Sequence, residues 1–216
     1  MQEGKQETLQ RLLRVEQAVA VLRGSDPDTV YECARAILKG GIRAIEITLT
    51  VPGAIDVILR LAGDADAIVG AGSVRTASDV DRCLDAGARF VVSPVCQPEV
   101  IRRAKERHAL VIPGAMTPTE VSTAWDLGGD LIKIFPAARL GPKFLSDLHG
   151  PLPEIPLVPT GGITDANAIE YLEAGAALIG IGSWLTAGSL NETRRRSALI
   201  RAIINKYQET HSAHSD

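Results

Sequence analysis

Short runs that are apolar almost throughout recur along the chain, separated by stretches in which apolar residues return every three or four positions. The runs are AVAVLR (18–23), AIEITL (44–49), AIVGAG (67–72), FVVSP (90–94), LVIPGA (110–115), LIKIFP (131–136), PLVPTGG (156–162) and LIGIGS (178–183). Each has the length of a strand, and apolarity on both faces marks parallel strands covered on both sides. The intervening stretches read as amphipathic helices. From Asp28 to Lys39, residues Val30, Cys33, Ala34, Ile37 and Leu38 make one stripe. Helix starts are signalled by Ser25-Asp26-Pro27, by Thr164-Asp165 and by Thr117-Pro118-Thr119-Glu120, a capping box with proline at the first helical position. Helix stops carry glycine at Lys39-Gly40-Gly41, Ala86-Gly87-Ala88, Leu127-Gly128-Gly129 and Ala174-Gly175-Ala176. These stops recur at about 40–47 residues, a weak repeat of two β/α units.

Eight strands alternating with helices, without a linker or a shift in composition, predict one α/β domain over residues 1–216, a (β/α)8 TIM barrel. Residues 7–16 predict an extra N-terminal helix, 191–208 the last helix, and 209–216 a polar tail expected to fray. A doubly wound open sheet is the alternative, but no dinucleotide fingerprint follows the first strand.

The 216 residues are 45% apolar and 23% charged, with a formal net charge of −3. That composition suits a globular chain and disfavours a broad nucleic-acid surface. No run approaches the ~18 apolar residues that span a bilayer, so no membrane association is expected. The N-terminus MQEGKQETLQ has no apolar signal core. Cys33, Cys83 and Cys96 are odd in number and widely spaced, which fits neither a disulfide framework nor a zinc site and suits the cytoplasm.

In this fold chemistry gathers at the C-terminal ends of the strands. Lys133 is one of six lysines and alone lies mid-strand, between Ile132 and Ile134. Alternation puts Leu131, Lys133 and Phe135 on the inner face. Desolvation favours the neutral amine, which can attack a carbonyl to form a Schiff base. Taken alone, such a lysine also fits snorkelling to the mouth or a structural ion pair. Glu46 is the one acid within the second strand, and alternation turns Ala44, Glu46 and Thr48 inward. The second and sixth strands face each other, so Glu46 can move protons beside Lys133 or serve as a buried ion partner. A close carboxylate opposes desolvation at the lysine, and sequence does not say which effect wins.

Thr160-Gly161-Gly162 and Gly180-Ile181-Gly182-Ser183 end the last two strands. Exposed N–H groups there can cradle a phosphate, and two such clusters together favour that reading over simple tight turns. Arg23 ends the first strand, where it can anchor a carboxylate or simply face solvent. Ser73, Pro94, Thr117 and Phe135 lie at other strand ends, Thr117 with a full explanation as a helix cap. The histidines (His108, His149, His211, His214) do not cluster on strand ends, so no metal is expected.

With these residues in view, the chain resembles the 2-keto-3-deoxy-6-phosphogluconate (KDPG) aldolases, including the bifunctional KDPG/4-hydroxy-2-oxoglutarate enzymes. The matching segments are GGIRAIEITLTVP (40–52), VGAGSV (69–74), FVVSP (90–94), PGAMTPTE (113–120), LIKIFPA (131–137), VPTGGI (158–163) and GIGSWL (180–185). The resemblance implies a class I, cofactor-free and metal-free aldolase on a (β/α)8 barrel, in general a homotrimer. It implies Lys133 as the Schiff-base lysine and Glu46 as the acid/base. Gly161, Gly162, Gly182 and Ser183 match the phosphate site, and Ser73 and Phe135 the keto-acid pocket. Many members have arginine where this chain has Thr50; some with Thr-Val-Pro there carry an arginine ending the first strand, which Arg23 fits.

The expected reaction is retro-aldol cleavage of a phosphorylated keto sugar acid to pyruvate and glyceraldehyde 3-phosphate. The galactonate epimer, 4-hydroxy-2-oxoglutarate, and decarboxylation of a 2-keto acid through the same lysine remain open as alternatives. Further alternatives are a thiazole- or phosphate-ester-handling synthase, a non-catalytic phosphosugar-binding barrel and a phosphosugar epimerase, although a metal-dependent epimerase needs histidine and acidic ligands at strand ends that the sequence does not offer.

Overall fold

The computed structural model describes residues 8 and 11–212. The apolar runs form parallel strands β1 (Ala18–Leu22), β2 (Ala44–Thr48), β3 (Ile68–Gly72), β4 (Phe90–Val92), β5 (Leu110–Ile112, resumed at Gly114–Ala115), β6 (Ile132–Ile134), β7 (Leu157–Pro159) and β8 (Ile179–Ile181). One sheet has the order β5-β4-β3-β2-β1-β8, and the second half of β5 begins another with β6 and β7. The run read as one strand over 110–115 is thus split at Pro113. Proline has no N–H to give the ladder, yet its carbonyl still accepts from the Lys133 N–H at 2.9 Å. At the other seam Thr160 bridges Gly180 in parallel. The curled sheet therefore closes on itself, as the eight-unit reading requires and an open doubly wound sheet does not.

The helices are α1 (Pro27–Lys39), α2 (Ala54–Ala62), α3 (Ala77–Asp85), α4 (Pro98–Glu106), α5 (Pro118–Asp126), α6 (Ala137–Leu140), α7 (Pro142–His149), α8 (Ala168–Glu173), α9 (Ser183–Thr186) and α10 (Leu190–Ser212). Asp26 caps α1 by accepting from the Thr29 N–H at 2.7 Å, and Thr117 with Glu120 forms the expected capping box. The helix stops Gly41, Gly87, Gly128 and Gly175 all lie at φ between 93° and 99°, a region costly for any residue with a Cβ.

Three expectations change. Thr164-Asp165 does not start a helix; α8 starts at Ala168 because the Asn167 side chain accepts from the Thr164 N–H at 2.8 Å and holds residues 164–167 in a turn. The last helix passes 208 and runs to Ser212, anchored by Tyr207 Oη on the Leu172 carbonyl (3.1 Å) and Gln208 Nε2 on Gln17 Oε1 (3.0 Å); once anchored, a helix extends at little cost. Of the tail expected over 209–216, residues 213–216 lie outside the described part. Of the helix expected over 7–16, residues 7, 9 and 10 do too, and Leu12–Glu16 forms one wide π-helical turn. It ends at Gln17, left-handed at φ 46°, whose N–H reaches the Leu12 carbonyl at 2.9 Å.

Alternation sorts the core into two layers. Ile45, Ile47, Val69, Val91, Ile132 and Ile179 point outward against the helices. Val19, Ala44, Ile68, Phe90, Leu110 and Leu131 fill the barrel interior, with Leu12 of the N-terminal turn buried among them. The lower barrel is therefore plugged with hydrocarbon, and the polar inward residues Glu46, Lys133 and Thr160 are buried as well. No helix among the described residues is long and apolar enough to cross a membrane.

Candidate active site

Lys133 projects from the middle of β6, where its neighbours in register are Gly114 and Val158. It is 4% exposed. Its Nζ stands 5.4 Å from the centre of the Phe135 ring, within reach of a cation–π attraction. Phe135 is itself exposed at the mouth, with its ring packed where a Cβ on Gly161 would come within 3.2 Å.

Glu46 on β2 is 3% exposed, and its Oε1 has no hydrogen-bond partner. Burial pushes its carboxyl above the ordinary glutamate range; the charges of Lys133 and Arg23 pull the other way without overcoming it. The two buried groups thus share one electrostatic environment, but among the described residues they make no direct ion pair. A buried carboxyl oxygen without a partner is uncommon in a resting fold and calls for an explanation.

Arg23 is exposed at the end of β1. Its charge reaches Glu46, and it has no ion-pair partner among the described residues, so its guanidinium is free to take an anion. Thr50 is different. Thr48, fully buried, donates its hydroxyl to the Leu22 carbonyl at 2.9 Å and lies 2.7 Å from the Thr50 hydroxyl. A carbonyl can only accept, so the single Thr48 hydrogen is committed there and Thr50 must donate to Thr48. Toward anything bound in the mouth, Thr50 offers lone pairs and no proton. It is unsuited to hold a carboxylate and suited to accept from a hydroxyl.

Ser73, left-handed at φ 57°, opens from the end of β3 onto a cleft of about 800 Å³ shared with Leu49, Arg75 and Thr76. Pro94 is half-buried, its carbonyl lying where Gly114 has no side chain. Thr117 is exposed, and its hydroxyl accepts from the Glu120 N–H at 3.3 Å and donates to the Glu120 carboxylate at 3.0 Å; the helix cap uses it fully.

At the β7 and β8 ends, Thr160 is buried and its N–H is held by the Ile134 carbonyl at 2.9 Å. Gly161 and Gly162 follow at φ 94° and 80°. Across the Thr160–Gly180 bridge, Gly182 and Ser183 open α9. The N–H groups of Gly161, Gly162 and Ser183 have no acceptor among the described residues. Asn167 was not foreseen as part of this loop: its amide donates to the Gly162 carbonyl at 3.0 Å while its Oδ1 accepts from Thr164. An asparagine just before a helix was the available signal, but it reads as an ordinary cap. No grouping of three or more metal-ligating side chains occurs among the described residues.

The sequence model of a family described as KDPG and KHG aldolase matches residues 9–200. The chain is 36% identical over 197 residues to the 2-dehydro-3-deoxy-6-phosphogalactonate aldolase of Escherichia coli strain K12, covering 88% of this chain and 94% of that one. It is 38% identical over 154 residues to the KHG/KDPG aldolase of the same organism, covering 70% and 72%. A KDPG aldolase from Legionella pneumophila, solved with pyruvate captured as a covalent carbinolamine, superposes with a TM-score of 0.77 at 29% identity, over 90% of this chain and 95% of that one. A designed porous cage made by fusing symmetric oligomeric domains superposes at 0.84 with 33% identity, over 92% and 76%.

Proposed function

We propose that this chain, which belongs to the KDPG and KHG aldolase family, cleaves 2-dehydro-3-deoxy-6-phosphogluconate to pyruvate and glyceraldehyde 3-phosphate through a Schiff base on Lys133. The enzyme class is not at issue: the chain is a class I aldolase, a carbon–carbon lyase. The observation that carries the residue assignment is a buried amine and a buried, unpartnered carboxyl oxygen sharing one electrostatic environment inside the barrel.

The Lys133 amine adds to the C2 ketone, and the carbinolamine loses water to give an iminium. That cation accepts the electron pair of the breaking C3–C4 bond. Glu46, directly or through water, takes the C4 hydroxyl proton, so the aldehyde leaves as glyceraldehyde 3-phosphate. The remaining enamine is protonated at C3, and water returns pyruvate and the free amine. Burial favours the protonated carboxyl, so Glu46 first gives its proton to the departing carbinolamine hydroxyl and, as the carboxylate so formed, takes the C4 hydroxyl proton and returns it to C3 of the enamine.

Arg23 holds the substrate carboxylate, and Thr50 accepts from a substrate hydroxyl beside it. Ser73, Pro94 and Phe135 wall the keto-acid end. The N–H groups of Gly161, Gly162, Gly182 and Ser183, with Thr160 beneath them, hold the phosphate. We further infer a homotrimer, which the resemblance to a chain engineered from symmetric oligomeric domains supports, and a cytoplasmic setting, which the three free cysteines suit.

A second reading, the galactonate epimer as substrate, is favoured by the relative of that name, which this chain matches over 94% of its length. The test is twofold. Borohydride with pyruvate in the presence of EDTA should trap an adduct on Lys133, and activity with an unmodified Lys133 would refute the assignment. Side-by-side kcat/KM for the two epimers and the unphosphorylated acid then ranks the substrates; equal rates without phosphate would remove the glycines from the site.

A further inference from the structure

Four glycines on the barrel strands leave spaces that a residue from a neighbouring segment fills. A Cβ on Gly70 would overlap the Phe90 ring, one on Gly114 the Pro94 carbonyl, and one on Gly180 the Thr160 hydroxyl. A Cβ on Gly72 would overlap Glu46 Oε1 outright and lie 2.6 Å from its Cδ and 2.7 Å from its Cγ. None of the four has a positive φ. The backbone would accept a side chain at each; the space would not.

Gly72 differs from the other three because what fills its space is the carboxyl arm of Glu46. In register Glu46 faces Gly70 and Thr48 faces Gly72. The carboxyl therefore leans along the strand direction, one inward position toward the mouth, and lies on the β3 backbone. The charged groups that face it are Lys133 from β6 and Arg23 from the end of β1; β3 meets it only with hydrogen.

We propose that Gly72 is the positioning residue for proton transfer: by lacking a Cβ it seats the Glu46 carboxyl against β3, close to Lys133 but out of direct ion pairing with it. The inference rests on the reading of Glu46 as the acid/base. With the seat filled, the carboxyl can move only across the axis toward Lys133 or up toward water. Either move favours its charged form, the first by pairing and the second by hydration.

The experiment compares Gly72→Ala, Glu46→Gln and the double variant. Gly72→Ala should still form the borohydride-trapped pyruvate adduct and should leave KM within about threefold, while kcat falls roughly 100-fold, the lower end of what positioned proton transfer supplies. The acidic limb of its kcat–pH profile should move to lower pH. In the Glu46→Gln background the same substitution should cost little further kcat. Wild-type kcat in Gly72→Ala, an unmoved pH profile, or equal losses in both backgrounds would each overturn the proposal. If Glu46→Gln itself keeps full activity, the acid/base reading fails and not the seat. Should Gly72→Ala not fold, Gly72→Ala with Glu46→Asp decides: folding of that pair, whose shorter acid vacates the space, supports a clash with the carboxyl arm, and its failure to fold overturns it.

Discussion

Replacing Glu46 by glutamine should flatten the pH dependence of stability as it removes activity. In the unfolded chain a glutamate titrates near ~4.3. In the folded protein the carboxyl is almost without exposure, and one oxygen has no partner. Burial is the largest influence and raises its pKa; Lys133 and Arg23 reduce the rise without reversing it. The folded state thus holds the proton more tightly than the unfolded state. The stabilisation is whole below the unfolded value and is lost as pH climbs through the folded one. Within that window wild type should lose at most about 1.4 kcal/mol per pH unit. Glutamine keeps the shape and has no proton to lose. Any fixed cost of a buried amide shifts the whole curve without changing its slope. Urea unfolding at half-unit steps from pH 4 to 9, at constant ionic strength, should give a difference curve that grows in favour of Glu46→Gln above the unfolded glutamate value and then levels off. Parallel curves across the range would refute the assignment of burial as the dominant influence.

Leu12→Ala should cost about 2–5 kcal/mol of stability, the usual range for emptying a fully buried leucine site, with kcat unchanged because the plug lies at the opposite end from the mouth; chemical denaturation and a standard assay read both. Arg23→Gln should raise KM roughly tenfold or more, since a hydrogen bond to a charged group contributes about 1.5–3 kcal/mol and a tenfold change is about 1.4 kcal/mol. Thr50→Val should do less, and equal effects would undo the donor argument at Thr48. Asp81, held below the usual aspartate range by hydrogen bonds from Arg103 and Arg107, favours folding above the unfolded aspartate value and loses that contribution as pH falls. Asp81→Asn should therefore show a shallower acid decline in thermal melts than wild type, and identical declines would exclude the network from acid stability.

The barrel was legible because burial on both faces leaves a continuous apolar run that few other structures produce, and because the stops at Gly41, Gly87, Gly128 and Gly175 recur with the β/α period. Lys133 and Glu46 stood out as charges inside such runs. What stayed hidden depends on partners distant in the chain. Thr50 stands where many relatives hold an arginine, and what it can offer instead emerges only when the one hydrogen of Thr48 is followed to Leu22 on another strand. Asn167 takes the position before the helix from Thr164-Asp165 while its side chain bonds back into the loop rather than onto the helix, which a local pattern cannot foresee. The break at Pro113 was written in the chain, but its consequence, a strand that changes partner, requires knowing that β4 and β6 lie on opposite sides of it. Gly72 carries no chemical signal of its own, because its contribution is the space it leaves for a residue 26 positions earlier.

That space bears on the tension between the two buried charges. An amine locked in a direct ion pair is an ammonium and no nucleophile, and its carboxylate partner is satisfied and slow to move protons. The structure keeps Glu46 and Lys133 in one field yet unpaired, and burial, not the lysine, has the larger hold on the carboxyl. A carboxyl that burial inclines toward its neutral form is the weaker counter-charge to the amine beside it. In the proposed mechanism the carboxyl gives its proton to the departing carbinolamine hydroxyl, and the carboxylate so formed faces the iminium and takes the C4 hydroxyl proton, so the buried pair gains its partners only as the reaction proceeds. On this account the unsatisfied Oε1 and the missing Cβ of Gly72 are one arrangement, in which the resting fold tolerates an unpaired acid so that the acid stays reactive.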